Sequence, residues 1–223
     1  MSVLLYKMNV YRSENVKQLN GAFKWIFDMG NWLFKFIYLH TLWIIFSILG
    51  LGVFGIFPAT ASVFTVARKW LEEGEDVPIF QTFFHSYKSI FFQASGLGYM
   101  MTALGLFFAY DFMISREYIE SVVIHVFLIF ILFLFVLTVC YIFPVYVRYN
   151  LRFFMYIKQS LLVALARPLE SIGMLLSILL LYYMLILLPF LFVMAGSSIV
   201  AFLIMALAYH AFVKIEARKT DSV

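Results

Sequence analysis

Four histidines, one cysteine and twelve carboxylates are the groups with which this 223-residue chain could move protons, hold a metal or form a covalent bond. His40 and His125 are the readily titratable groups inside long apolar runs, and His85 and His210 stand near the ends of such runs. The four show no H-E-x-x-H or other paired-ligand spacing, so no metal site is expected. A lone histidine a turn or so into a helix is read as bonded to a neighbouring carbonyl, since a proton relay needs a chain of ionisable partners. Asp111 closes an apolar run beside Arg116, Glu117 and Glu120, where its carboxylate reaches water or pairs with Arg116. Cys140 stands alone and can form no intramolecular disulfide or multi-cysteine metal site. No Walker A loop, nucleophile elbow or glycine-rich dinucleotide loop occurs, so no cofactor and no enzymatic activity are expected.

Two other constellations carry a functional alternative. Glu72, Glu73, Glu75 and Asp76 form an acidic cluster just past Arg68 and Lys69, in a loop interrupted by Gly74 and Pro78. It is either a solvated turn or a docking surface for a cytoplasmic or neighbouring membrane subunit. Gly50, Gly52, Gly55 and Pro58 interrupt an apolar run, and a helix broken at membrane depth is tolerated only where protein or a water-filled cavity satisfies the freed backbone. The glycines either make a tight hairpin or, with Thr60 and His40, line a substrate path.

The elements that position these groups follow from composition. The chain is 65% hydrophobic and only 13% charged, against roughly 25% charged in soluble domains, so its solvent is lipid. Its net charge of +4 sits beside membrane ends instead of forming the folded basic patch of a nucleic-acid binder. Charge-free runs cover 36–67 (32 residues), 89–110 (22), 121–147 (27) and 171–213 (43). A 43-residue helix would be about 65 Å long, twice the roughly 30 Å of hydrocarbon. The last run therefore folds back, with its turn placed near Gly196, Ser197 and Ser198 after Pro189, giving spans at 171–192 and 197–214. In the first run, 32–71 reads as a short hairpin turning at Gly50 to Gly55, with Pro58 in the first turn of the returning helix. That hairpin either crosses fully or re-enters. With spans at 89–110 and 121–147, the expectation is a single membrane domain, 1–223: an all-α polytopic helical bundle of about six membrane segments.

Basic residues choose among topologies, because cytoplasmic connections hold them. With six crossings, fifteen Lys and Arg share one side and only Arg116 lies on the other. With five, the split is six against ten. Six crossings put both termini in the cytoplasm, and a re-entrant hairpin gives the same split. Within the cytoplasmic 1–30 segment, Glu14 to Gly30 carries Val16, Leu19, Phe23, Ile26 and Phe27 at helical spacing, as an interfacial amphipathic helix would. Arg148 to Pro168 alternates basic and apolar residues and reads as a helix resting on anionic headgroups. Ala94, Gly98 and Thr102, with Gly105 and Ala109, are small residues spaced for close helix contact.

Gly50-Leu-Gly-Val-Phe-Gly-Ile-Phe-Pro-Ala-Thr-Ala61, then Ala67-Arg-Lys-Trp-Leu and Asp76-Val-Pro-Ile-Phe-Gln-Thr-Phe-Phe, resembles the YesL-like family of small bacterial membrane proteins, a domain of unknown function. The likeness extends over nearly the whole chain in length and in its pattern of apolar runs. Members tend to be encoded beside carbohydrate uptake ABC systems, two-component sensors and polysaccharide-degrading enzymes. The resemblance thus implies an accessory role in carbohydrate uptake or utilisation, through contact with a carbohydrate ABC transporter or membrane sensor, and no catalytic residues. The rival expectation is a transporter or facilitator with the Gly50 to Pro58 break lining its path. An ion-coupled one is disfavoured, because no acid or base sits deep in any run.

Overall fold

An apolar chain in lipid must satisfy its backbone internally, which leaves helices as the available single-segment element. The computed structural model describes residues 21–118 and 121–220, and there the protein is all-α. Its helices are α1 (Gly21–Leu49), α2 (Val53–Glu73), α3 (Ile79–Tyr118), α4 (Val122–Arg148), α5 (Phe153–Ala166), α6 (Pro168–Leu187) and α7 (Pro189–Thr220).

The axle of the bundle is α2, which packs against α1, α3, α4 and α7. Its Ala59, Ala61, Ser62, Val63, Val66 and Ala67 are all but inaccessible. Such a run of small and β-branched residues lets four neighbours approach closely, the usual basis of helix packing in lipid. Trp43 of α1 bonds Thr60, and Trp32 and Phe36 meet Trp70 nearer the other end, so α1 and α2 are antiparallel. Phe57 lies over Gly98, while Thr65 bonds Ser86, which sets α3 antiparallel to α2. Phe64 stacks on Phe143, with ring centres 5.9 Å apart, placing α4 alongside. Gly173 faces Leu207, closing α6 and α7 into a hairpin.

Among the described residues four helices are long and apolar enough to cross a membrane: Lys24–Leu49 within α1, all of α3, all of α4, and Phe192–Ala217 within α7. The pair α5 and α6, bent by 100° at Arg167, supplies a fifth if it forms one broken span. The returning arm α2 falls outside that set because its glycine, alanine, serine and threonine lower its hydropathy and Arg68 and Lys69 lie near its end. Its neighbours, more than lipid, solvate it.

Several boundaries differ from the sequence reading, each for a physical reason. The returning helix starts at Val53, so Pro58 lies inside α2 and not in its first turn. The last long run breaks at Leu188 and not near Gly196 to Ser198. A residue before proline is pushed out of the helical region, and Pro189 occupies the first position of α7, where its missing N–H costs nothing. Gly196, Ser197 and Ser198 continue within α7 as part of its packing surface. Residues 21–30 prolong α1 instead of forming a separate interfacial helix; the earlier part of the expected amphipathic segment, from Glu14, lies outside the described residues. Helix α3 has 40 residues, about 60 Å, and takes 79–88 of the expected 68–88 loop, while α2 takes 68–73. The basic segment after Arg148 is helical as α5, burying Tyr156, Ser160 and Val163 while exposing Phe154, Leu162 and Leu165. An element apolar on both faces suits a position between bundle and lipid.

Candidate functional site

The α1–α2 turn is built by main-chain geometry. Leu51 (φ 63°) and Gly52 (φ 66°) adopt left-handed conformations that reverse the chain. Gly50 N–H donates to Phe46 O at 3.0 Å and Gly52 N–H to Ser47 O at 3.0 Å, which caps the end of α1. Gly50 and Gly55 meet across the turn: a Cβ on Gly55 would lie 2.9 Å from Gly50 Cα and 2.8 Å from Phe46 O, and would overlap Ser47 O. From α3, Tyr87 OH donates to Phe46 O at 3.0 Å. Pro58, lacking an N–H, leaves Phe54 O without its helical donor four residues on. Ser95 Oγ of α3 donates to that oxygen at 3.1 Å. The break is therefore answered by protein groups, and the Phe57 ring fills the space above Gly98.

His40 and Thr60 face a different place. Thr60 Oγ1 donates to Ile56 O (2.7 Å) and accepts from Trp43 Nε1 (3.0 Å), and the His40 ring stacks on Trp43 with centres 5.8 Å apart. His40 Nδ1 lies 2.7 Å from Ser197 Oγ and accepts the Ser197 N–H at 3.3 Å. These residues border a cavity of about 410 Å³, with Phe64, Phe143 and Ile204 among its apolar walls. Of the suspected path residues, His40 and Thr60 come together; Gly50, Gly52, Gly55 and Pro58 do not border this cavity. Gly50 instead touches an outward groove with Phe46, Leu51, Phe54 and Phe91. His125 Nδ1 lies 2.9 Å from Ser121 O, the local bond expected of a lone helical histidine. Asp111 is exposed within α3.

At the opposite end of the hairpin the acidic cluster is engaged within the bundle. Glu75 accepts from Lys35 Nζ at 3.0 Å and from Trp32 Nε1 at 2.9 Å. The Lys35 bond holds its carboxyl below the usual glutamate range. Glu72 lies between Arg68 (3.6 Å) and Arg148, whose other arm reaches Glu216 at 2.9 Å. Glu73 pairs with Lys69 at 3.6 Å, and Lys214 with Glu170 at 2.8 Å. Among the described residues Asp76 is the exposed member of the cluster without a hydrogen bond or ion pair. Five residues assigned to one side by charge counting, Lys35, Arg68, Lys69, Arg148 and Lys214, thus share one end of the fold. Arg116 stands at the other, near the α3–α4 connection.

One constellation went unseen in the sequence. Thr82, His85, Ser86, Ser89 and Gln93 share a face of α3 and border a cleft of about 370 Å³ opposite Thr65 and Lys69 of α2. Tyr146, Arg148, Asn150 and Tyr156 close it. The signal was present: polar residues at steps of three and four from 82 to 93 mark a helical stripe, hidden while 68–88 was taken for a loop. Among the described residues no group of three His, Cys, Asp or Glu side chains could hold a metal ion.

A family model described as "Protein of unknown function, DUF624" matches residues 36–112, which hold the second half of α1, the glycine turn, α2 and most of α3. The uncharacterized protein YteU of Bacillus subtilis (strain 168) is 35% identical over 188 residues, covering 83% of this chain and 84% of that protein. YesV of the same organism is 35% identical over 187 residues, covering 82% and 89%. YesL is 36% identical over 137 residues, covering 61% and 65%. No solved structure matches the chain.

Proposed function

Since this chain belongs to the YesL-like family, we propose that it is an accessory integral membrane protein of bacterial carbohydrate uptake or utilisation, acting without catalysis through contact with a carbohydrate ABC transporter or membrane sensor. The carbohydrate assignment rests on the resemblance. In this reading the chain lies in the cytoplasmic membrane with six membrane segments, the α1–α2 hairpin supplying two, and both termini in the cytoplasm. The end that gathers Lys35, Arg68, Arg148 and Lys214 faces the anionic inner leaflet.

The observation that favours an accessory role over transport is the closure of the glycine break. Ser95 satisfies the carbonyl freed by Pro58, and Gly50 and Gly55 leave no room between the two arms. A translocation path needs water or substrate at such a break; here Ser95 and Tyr87 of α3 answer its carbonyls, and the groove that Gly50 borders faces outward. The cavity at His40 keeps the transporter reading specific, because it joins a polar pair to an open apolar cleft between helices.

Purified protein in liposomes with labelled oligosaccharide separates the two. The accessory role predicts no saturable uptake by this chain alone, together with reduced oligosaccharide uptake in cells from which the chain is deleted. Saturable uptake in liposomes would overturn it in favour of a facilitator.

A further inference from the structure

The polar cleft at the charged end is a more complete site than either constellation singled out in the sequence. Its walls carry Lys69, His85 and Arg148, and among the described residues no carboxylate borders it. Cationic walls without an acid select an anion. Arg148 is held by Glu72 on one amino nitrogen and by Glu216 on the other, and each of those nitrogens keeps a second hydrogen to donate. Among the described residues Lys69 is held by its own helix neighbour Glu73 alone, at 3.6 Å, a half-exposed pair of little strength that a better anion displaces. His85 has no hydrogen bond or ion pair among the described residues, so its ring is open to a ligand.

The remaining wall is rich in neutral donors and acceptors already held in position. Thr65 and Ser86 are 3.0 Å apart through their hydroxyls, and Ser89 Oγ donates to Ser86 O at 2.9 Å. Tyr146 OH donates to Gln93 Oε1 at 3.3 Å, which leaves the Gln93 amide N–H groups to donate into the cleft. Tyr156 OH accepts from Leu151 N–H at 3.1 Å, and its ring packs on Tyr146 with centres 4.9 Å apart. Hydroxyl and amide groups of this kind recognise the hydroxyls of a polyol. Lysine, histidine and arginine recognise a phosphate.

We propose that the cleft between α2, α3, α4 and the start of α5 binds a phosphorylated polyol. Lys69, His85 and Arg148 meet its phosphate, and Ser89 and Gln93 meet its hydroxyls. The cleft's volume of about 370 Å³ lies within the range of small-ligand pockets. The same chemistry occurs in a phosphatidylglycerol headgroup and in a soluble polyol phosphate. This assignment goes beyond the accessory role and does not depend on it.

Calorimetric titration of the full chain in detergent tests it, with dihexanoyl-phosphatidylglycerol and sn-glycerol 3-phosphate as probes and glycerol and dihexanoyl-phosphatidylcholine as controls. Saturable binding of at least one anionic probe, with neither control bound as tightly, is the expected result. Binding of the lipid alone assigns the site to a headgroup, and binding of glycerol 3-phosphate assigns it to a soluble ligand. Lys69→Gln and Gln93→Leu should each weaken binding about tenfold, while Lys88→Gln, which removes a cation of α3 outside the cleft, should leave it unchanged. If Lys69→Gln lowers the melting temperature without ligand, the exposed Gln93→Leu carries the comparison. The assignment is overturned if neither anionic probe saturates, if phosphatidylcholine binds as tightly as phosphatidylglycerol, or if Lys88→Gln loses as much affinity as Lys69→Gln.

Discussion

At the turn joining α1 to α2, the carbonyls of Phe46, Ser47, Ile48, Gly52 and Phe54 are met by protein donors and the outward side chains are Ile48, Leu49, Leu51 and Val53, all exposed. At the other end of the same hairpin, Lys35, Arg68 and Lys69 meet Glu75, Glu72 and Glu73 through side chains that water also reaches. The first arrangement suits hydrocarbon, where an unmet N–H or C=O is costly and an exposed leucine is not. The second suits the headgroup layer, where charge is tolerated and a broken pair is partly repaired by solvent. One end is held by shape and the other by charge, so the two should respond to different perturbations.

The largest effect is expected at the turn. Gly55→Val places methyl groups into Ser47 O and the Gly50 backbone, neither of which can yield without opening the cap of α1. A loss of about 3 kcal/mol is expected, read as a lowered melting temperature in detergent. Gly30→Val on α1, where a Cβ meets nothing within 4 Å, should be close to neutral. Similar melting of the two variants would remove the claim that shape holds this end.

A finer test concerns the carbonyl freed by Pro58. Ser95→Ala leaves Phe54 O unmet and should cost about 1–2 kcal/mol. In a Pro58→Ala background residue 58 regains an N–H that can bond Phe54 O, so the same serine substitution should cost less. A double-mutant cycle measures that difference. Additive losses would mean that Ser95 matters for some reason other than the proline.

Much of this contrast could be read from the residues themselves. Gly50, Gly52 and Gly55 announced a reversal; of the basic residues counted to one side, Lys35, Arg68, Lys69, Arg148 and Lys214 gather at one end, whereas Lys88 borders the groove at the glycine turn. Position along the chain was harder. Pro58 and Pro189 each signal a helix start, but only Pro189 occupies one; Pro58 is accommodated inside α2 because a serine far away in sequence replaces the missing donor. Gly196 looked like a turn because glycine is permissive, whereas in α7 its neighbour Ser197 supplies a contact for His40. The cleft was missed for the opposite reason. Its polar stripe is periodic, but a hydropathy reading assigns polar residues beside an apolar run to a loop, and only the facing residues Lys69 and Arg148 make the stripe a site.

The smallest effect belongs to the charged end and has a defined sign. Glu75 has its carboxyl lowered by the Lys35 bond, so the pair contributes stability above the ordinary glutamate range and loses it as pH falls through the depressed value. Glu75→Gln keeps an oxygen for Trp32 Nε1 while removing the attraction to Lys35. The wild type should therefore be slightly more stable than the variant at neutral pH, and the difference should vanish in acid. High salt should shrink it as well, because the pair is exposed to screening. The Gly55→Val loss should persist across the same pH and salt range, since it arises from overlap and not from charge. If the glutamine variant retained the wild-type dependence on acid, the acid limb would have to be assigned to another carboxylate of this end.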